Sequence, residues 1–221
     1  MSRGEILLLR HGHLAGDASR LFVGQLDIPL DDLGRSQAEA VGRRLRGVSI
    51  DRVKASDLSR CQETARLVLQ AAGLGHLPIE PEPALREIHL GHWEGLSREE
   101  VRERFAEEYA RRGQDMAGTR PSGGESFEDL ARRVWPAFER LVAEVGQGRI
   151  LVVAHSGVNR VILCRVLGLG VEHLFRLDQD YGCLNVIHVD KAAGMAGTAG
   201  TTETAGLVLA RMNVPPFEAV G

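Results

Sequence analysis

The chain has 221 residues, of which 43% are hydrophobic and 26% are charged, and its formal net charge at pH 7 is -3. At a usual scale of roughly 150 residues per domain, this length fits one large domain with enough apolar material for a sizeable core. The small net charge and the 5% of aromatic residues disfavour a basic nucleic-acid footprint, a base-stacking platform and a disordered acidic chain.

The sequence carries no pattern typical of membrane insertion or export. The longest apolar stretches, 6–9 and 150–154, are far shorter than the roughly 20 residues of a membrane span, and the first is also too short for a signal-peptide core. Cys61, Cys164 and Cys183 are odd in number and form no Cys-x-x-Cys pair, which favours free thiols over a disulfide framework or a thiolate zinc site. We therefore expect a cytoplasmic protein.

Strand and helix signals alternate through the first part of the chain. Residues 5–9 are an apolar run that ends in a sharp Arg-His-Gly turn, which predicts a strand. A helical pattern follows Asp31. Residues 52–55 predict a second strand, after which Ser56 or Asp57 would cap a helix.

The middle of the chain continues the same alternation. Residues 77–79 predict a third short strand, ended by nearby prolines. Ser97 with a glutamate three residues later predicts a capping box, whereas the glycine-rich segment 112–125 predicts a loop. Ser126 introduces another amphipathic helix, and residues 149–154 form the clearest buried strand.

The last part of the chain begins with a helix at 158–167. Residues 184–189 and 207–212 predict two strands, and the Gly/Ala/Thr-rich segment 192–206 between them predicts a flexible hairpin loop.

This order of elements predicts an α/β fold, a three-layer sandwich with a mostly parallel central sheet flanked by helices. We expect a single domain over 1–221, with a helical insertion at about 88–125 and a C-terminal β-hairpin at about 184–212.

Two apolar strands end in a histidine beside a glycine or a serine. His11 follows the first strand and is preceded by Arg10, and His155 follows the buried strand 149–154. The carboxyl ends of parallel strands converge on the ligand crevice of an α/β sheet, and strand-to-helix turns there direct N–H groups at anions. Arg60, in the first turn of the helix after the second strand, is expected near the same crevice. The pattern indicates an anion-handling site.

The motifs of this chain resemble those of the histidine phosphatase superfamily, also called phosphoglycerate mutase-like, from about residue 5 to residue 185. The motifs that carry the resemblance are Leu9-Arg10-His11-Gly12, Asp27-x-Pro29-Leu30, Leu33-Gly34-x-x-Gln37-Ala38, Ser56-x-Leu58-x-Arg60-x-x-x-Thr64-Ala65, Leu85-Arg86-Glu87-x-x-x-Gly91-x-Trp93-Glu94-Gly95, Pro121-x-Gly123-Gly124-Glu125-Ser126 and Val153-Ala154-His155. The resemblance implies a phosphoglycerate mutase-like fold and a metal-independent phosphomonoesterase.

The same resemblance implies a role for each residue at the crevice. His11 would attack phosphorus and form a phosphohistidine, with a backbone carbonyl holding the proton on its other nitrogen. Arg10, Arg60 and His155 would bind the equatorial phosphate oxygens, and Glu87 would be the general acid and then the general base. The remaining expected phosphate contacts are Gly12, which would leave room for the phosphate, Gly24, Gln25 and Ser156.

The chain departs from the family pattern at two positions. His13 stands where the family usually has Glu or Gln, and Asp17 stands where a phosphate-contacting asparagine is usual.

Within the family, the segments Gly91-His92-Trp93-Glu94-Gly95 and Gln179-x-Tyr181-Gly182-Cys183-Leu184-Asn185 resemble the phosphatase branch, and most of all the α-ribazole phosphatases of cobalamin assembly. A small-molecule phosphate ester is the expected partner, with α-ribazole 5′-phosphate as a candidate substrate. A phosphoglycerate mutase is the alternative, although mutases carry lysine and paired arginines in the insertion. Here lysine is absent between Lys54 and Lys191, and we expect Arg111 and Arg112 to be an exposed helix end.

Two interpretations of another class remain. His11, His13, His89 and His92 could be ligands of a metal-dependent hydrolase, but a (β/α)₈ barrel needs about 250 residues and more strand–helix units. An inactive phosphate-ester binding module is the other. No glycine-rich nucleotide motif occurs, so no cofactor and no metal is expected, nor a nucleic-acid or membrane partner. The oligomeric state stays open, with a homodimer as one option.

Overall fold

The computed structural model describes residues 3–190 and 206–217, and these residues contain one six-stranded sheet. Its strands are β1 (Gly4–Arg10), β2 (Arg52–Ala55), β3 (Ile79–Pro81), β4 (Arg149–Ala154), β5 (Leu184–Val189) and β6 (Leu207–Val214). The order across the sheet is β3-β2-β4-β1-β5-β6. The predicted α/β fold with a mostly parallel sheet is therefore confirmed.

Strand direction decides which chain segments meet at one edge of the sheet. β1 and β2 both pair in parallel with β4, and β3 pairs in parallel with β2. β5 runs antiparallel to β1, and β6 antiparallel to β5. The carboxyl ends of β1, β2 and β4 consequently lie at the same edge as the amino end of β5. We call this the site edge.

Helices cover both faces of the sheet. The α-helices of the described residues are α1 (Asp32–Arg44), α2 (Ser59–Ala72), α3 (Arg98–Arg104), α4 (Ala106–Gln114), α5 (Phe127–Glu144) and α6 (Ser156–Val166). Alternation along β1 shows the two faces directly, because Ile6 and Leu8 pack into the core that contains residues of α5 and α6, whereas Leu7 and Leu9 pack into the core that contains residues of α1 and α2.

Helix starts follow the predicted caps at three helices. The Asp31 side chain accepts from the Gly34 N–H at the start of α1, and Ser97 and Ser126 each form a capping box at the starts of α3 and α5.

The predicted cap of α2 is wrong, because its N-cap is Leu58 and no side chain of that residue bonds the helix. Ser56 and Asp57 are engaged elsewhere, with His155 and Arg86 respectively. The Ser59 N–H instead donates to Asp27 Oδ1 at 2.9 Å, a residue from a distant segment.

Three other boundaries differ from expectation. β3 spans 79–81 and not 77–79, because it is an edge strand in which Pro81 can sit without a ladder donor. The segment predicted as a loop from 112 begins as the end of α4. α6 begins at Ser156, two residues before the predicted start.

Of the predicted loop 192–206, all but Gly206 lies outside the described residues. Within the described ranges, no helix is both long and apolar enough to cross a membrane.

Candidate active site

The site edge borders a cavity of about 480 Å³. The expected residues lie at this edge, at strand ends or in the segments that follow: His11 comes after β1, Arg60 is in the first turn of α2 after β2, and His155 follows β4. Glu87 follows the short 3-10 turn after β3. The cavity is lined by six of the residues predicted from the sequence, namely Arg10, His11, Gly24, Arg60, Glu87 and Ser156.

His11 is buried with one ring nitrogen committed to the backbone. Its Nδ1 lies 2.8 Å from the Gly12 carbonyl oxygen, which accepts only if Nδ1 carries the proton. Burial lowers the pKa of His11 well below its ordinary value, and the charges of Arg10 and Arg60 add to the effect. The ring is therefore neutral near pH 7, with the lone pair on Nε2.

His155 packs edge-on against His11, with the two ring centroids 5.1 Å apart. Its Nε2 is 2.9 Å from the Ser56 hydroxyl, and its Nδ1 accepts from Arg60 Nε at 3.3 Å. Burial, followed by the Arg60 charge, also holds the pKa of His155 well below its ordinary value. His155 is fully buried and does not line the cavity.

Arg10 and Arg60 are held by neutral groups. The Arg60 guanidinium donates to the carbonyl oxygens of Leu26 at 2.5 Å and Gly24 at 2.8 Å. Arg10 Nη1 donates to the Gln179 carbonyl oxygen at 2.5 Å, and its Cζ lies 3.7 Å from the centroid of the Tyr181 ring. Among the described residues neither arginine pairs with a carboxylate, and Arg10 Nε is buried without a hydrogen-bond partner. Both positive charges are thus available to an anion.

Glu87 is placed by the amino end of α6. Its Oε2 accepts from the Gly157 N–H at 3.1 Å, and its Oε1 accepts from its neighbour Ile88 at 3.0 Å. Arg133 of α5 holds the chain on either side of Glu87, because its guanidinium donates to the carbonyl oxygens of Arg86 and Glu87. The same guanidinium forms a two-pronged ion pair with Glu125 at 2.8 and 2.7 Å. No sequence signal distinguishes Arg133 from the other arginines of the chain.

The expected backbone contacts have mixed placements. Packing requires a glycine at position 12, because a Cβ there would not point into open space but would overlap the backbone of Gly34. Gly24 has a φ of +51° and lines the cavity. Gln25 does not line the cavity, and its N–H donates to Glu94 Oε1 at 2.9 Å.

The two departures from the family pattern sit at the margin of the site. His13 Nδ1 pairs with Asp31 at 2.7 Å and its ring packs edge-on against Tyr181. Asp17 is exposed and does not line the cavity, whereas Ser19, two residues later, does. The carboxylate of Asp17 is therefore not directed at a bound anion.

The cavity wall is rich in aromatic residues and contains the buried cation of Arg112. Six of the ten aromatic residues of the chain line this cavity: Phe22, Trp93, Tyr109, Phe127, Phe175 and Tyr181. Arg112 is only 6% exposed, donates to the Thr119 carbonyl oxygen, and lies over the rings of Trp93 and Phe127. Burial lowers the pKa of Arg112 to about 10. The expectation of an exposed helix end is thus correct for Arg111 and wrong for Arg112.

The metal-ligand grouping considered from the sequence is not assembled. Among residues 3–190 and 206–217, no three His, Cys, Asp or Glu side chains are arranged to hold a metal ion. His13 is turned to Asp31, and His92 packs near Phe105.

A neutral buried histidine beside two unpaired arginines, at the carboxyl ends of parallel strands, defines an α/β protein built to handle a phosphate-like anion. Comparison with known proteins specifies the class further. The model of the histidine phosphatase superfamily (branch 1) matches residues 6–196.

Two curated relatives and one solved structure illustrate the range of similar proteins. The chain is 34% identical over 191 residues to 2,3-bisphosphoglycerate-dependent phosphoglycerate mutase 2 of Gloeobacter violaceus, covering 86% of this chain and 87% of that one. It is 33% identical over 188 residues to the adenosylcobalamin/α-ribazole phosphatase of Escherichia coli, covering 83% and 89%. The crystal structure of the α-ribazole phosphatase from Shigella flexneri superposes with a TM-score of 0.79 at 30% identity, covering 95% and 96%. The chain belongs to the histidine phosphatase superfamily.

Proposed function

We propose that this enzyme is a phosphomonoesterase that hydrolyses a small-molecule phosphate ester through a phosphohistidine at His11. The observation that carries the proposal is the His11 ring, whose Nδ1 faces the Gly12 carbonyl and whose buried neutral state leaves Nε2 as a nucleophile in the field of Arg10 and Arg60.

In the first step, the Nε2 lone pair of His11 forms a bond to phosphorus while the bond from phosphorus to the leaving oxygen breaks. Glu87, as the carboxylic acid, gives its proton to that oxygen. Arg10 and Arg60 neutralise charge on the equatorial oxygens, and the first turn of α6 at Ser156 adds backbone donors at its positive end.

In the second step, the Glu87 carboxylate takes a proton from water. The water oxygen bonds to phosphorus, the bond to Nε2 breaks, and its electron pair returns to His11. His155, held by its contacts with Ser56 and Arg60, is proposed to bind an equatorial oxygen beside Arg10 and Arg60. Gly12, Gly24 and Gln25 are proposed as backbone contacts to phosphate, which requires the N–H of Gly12 to leave Thr64 and that of Gln25 to leave Glu94.

For the substrate, we propose a phosphate ester with a sizeable organic leaving group, with α-ribazole 5′-phosphate as the first compound to test. A cavity of about 480 Å³ lies within the usual range for ligands of drug size, and its aromatic wall suits an apolar leaving group. Relatives named α-ribazole phosphatases support the same choice. We propose that the insertion at 88–125, which contributes Trp93, Tyr109 and Arg112 to this wall, selects the leaving group within a single domain.

One observation favours the alternative, a phosphoglycerate mutase. Arg112 places a buried cation in the wall, where it could bind a carboxylate of the substrate. Mutases among the curated relatives agree with this interpretation.

We also propose that the enzyme is cytoplasmic, because its three cysteines are all buried free thiols, as suits a reducing compartment.

The first experiment is hydrolysis of p-nitrophenyl phosphate, with and without EDTA, by the wild type, His11→Ala and the control His76→Ala. His76 is an exposed histidine that does not line the cavity. Activity that survives EDTA, disappears in His11→Ala and persists in His76→Ala is expected. Activity that EDTA abolishes, or that His11→Ala retains, would contradict phosphohistidine chemistry.

A second assay separates the substrates. Release of inorganic phosphate from α-ribazole 5′-phosphate, with no interconversion of 2- and 3-phosphoglycerate, is the expected pattern. Interconversion that depends on 2,3-bisphosphoglycerate, and that Arg112→Met abolishes, would identify a mutase. Binding of phosphate esters without turnover would identify a binding module.

A further inference from the structure

A cluster of buried amides lies behind Arg10. Gln179, Asn185 and Asn159 are 3%, 0% and 0% exposed, and the proposed mechanism uses none of them. Buried amides are retained at a cost unless each polar atom finds a partner, so a cluster of three needs an account.

Gln179 and Asn185 form a reciprocal amide pair. Gln179 Nε2 donates to Asn185 Oδ1 at 2.8 Å, and Asn185 Nδ2 donates back to Gln179 Oε1 at 2.9 Å. The second proton of each amide is also used, by the Asp178 carbonyl oxygen at 2.8 Å and by the Leu8 carbonyl oxygen at 3.0 Å.

The pair ties together the elements that surround Arg10. Leu8 lies on β1 two residues before Arg10, and Asn185 is its partner in the register with β5. Asn159 of α6 donates to Gln179 Oε1 at 3.1 Å, and the Asn213 N–H of β6 donates to Asn185 Oδ1 at 2.9 Å. Gln179 is thus fixed from three directions.

The main chain of Gln179 then holds the catalytic arginine. Its carbonyl oxygen accepts from Arg10 Nη1, and Tyr181, two residues further on, presents its ring to the same guanidinium. Both supports are electrically neutral. A carboxylate in either place would fix Arg10 as well, but it would also neutralise the charge that an anion needs.

We propose that the Gln179–Asn185 amide pair is a positioning device that holds Arg10 for phosphate while leaving its charge unpaired. This inference rests on the proposed phosphate site and adds Gln179 and Asn185 as positioning residues for it.

The test is calorimetric binding of inorganic phosphate, which does not depend on turnover, to the wild type and to Asn185→Asp between pH 5.5 and 8. The ionised carboxylate of this variant would face the oxygens of Leu8 and Gln179 with no donor, whereas the protonated acid restores one. We expect the variant to bind phosphate about tenfold more weakly than the wild type at pH 8, and within about threefold at pH 5.5.

Two further variants complete the test, one as a second test of the amide pair and one as a control. Gln179→Glu should show the same recovery at acid pH, and it carries the test if Asn185→Asp does not fold. Gln70→Glu is the control, because it adds the same negative charge at an exposed position of α2. It should bind phosphate as the wild type does at every pH. A purely structural role for the amides would weaken binding equally at both pH values or not at all, and either result would overturn the proposal.

The wild type supplies a readout that needs no variant. In nitrogen-15 spectra, phosphate should shift the Arg10 Nε–H resonance together with the side-chain amides of Gln179 and Asn185. Movement of the His11 signals alone would refute the coupling. A wild type that binds no phosphate would overturn the proposed function and this inference together. Phosphate binding that is equally strong in Asn185→Asp, with hydrolysis still dependent on His11, would overturn only the inference.

Discussion

The crossing of Gly12 over Gly34 offers the sharpest test of how packing positions the proposed nucleophile. A Cβ at position 12 would lie 2.8 Å from the Cα and carbonyl carbon of Gly34 and closer still to its carbonyl oxygen, whereas ordinary contact begins at 3.4 Å. A Cβ at position 34 would in turn overlap the backbone of His13. Neither side can yield through a flexible side chain.

Gly12→Ala must therefore separate two stretches of backbone by at least about 0.6 Å. Overpacking of this kind costs about 1–3 kcal/mol in the free energy of unfolding. His11 precedes the substituted residue and bonds its carbonyl oxygen, so the ring moves with the backbone. A displacement near 1 Å lowers catalytic rates by about 100-fold. We expect kcat for p-nitrophenyl phosphate to fall by roughly 10- to 100-fold.

Urea unfolding gives the free energy, and steady-state kinetics at saturating substrate give kcat. Gly75→Ala is the matched control, because a Cβ there meets only ordinary contact with Gln70, and it should leave both quantities nearly unchanged. The reasoning would be refuted if Gly12→Ala unfolded at the wild-type urea concentration with the wild-type kcat.

Four further predictions concern charge and capping. Because burial lowers the pKa of His11, the acid limb of kcat/KM should lie below about pH 6.5, the ordinary value for histidine, and a limb at or above it would contradict a neutral nucleophile. The buried His11 and His155 should also make the unfolded state bind more protons below that pH, so stability to urea should fall as the solution is acidified. Arg133→Lys loses the two-pronged ion pair with Glu125, so the chain at Glu87 loosens while Arg10 keeps its contacts. We therefore expect kcat to fall by a larger factor than the affinity for inorganic phosphate, and equal losses would contradict this reasoning. Ser126→Ala removes a buried cap of α5 and should cost about 1 kcal/mol in urea unfolding; a change below about 0.3 kcal/mol would show that the cap is dispensable.

Motifs at strand ends made much of the site predictable. His11 and His155 each follow an apolar run, Arg60 follows a predicted strand, and topology alone places the ends of parallel strands together. The same logic fails for Glu87, which follows an edge strand and a loop. The motif context suggested that residue, but only the tertiary contacts with Gly157 and Arg133 show how it is held.

Residues whose role depends on distant partners could not be predicted. Arg112 belongs to a segment that carries polar residues on most sides, and its burial follows from packing against Trp93 and Phe127. Gln179 and Asn185 satisfy one another across a turn. Ser56 fits the pattern of a helix cap, yet its hydroxyl bonds His155 across 99 positions of sequence. Local patterns contain no information about such pairs.

The position of β1 in the sheet has a consequence for how the chain reaches its folded state. β1 leaves the ribosome well before both of its neighbours, β4 and β5, which are encoded about 140 residues or more downstream. Its apolar residues and ladder groups stay without their native partners until the later segments have emerged, and loops that long make the pairing slow. The strand that carries Arg10 and leads into His11 is therefore the one most in need of protection during synthesis, and fragments that stop before β4 should aggregate and not accumulate as folded intermediates.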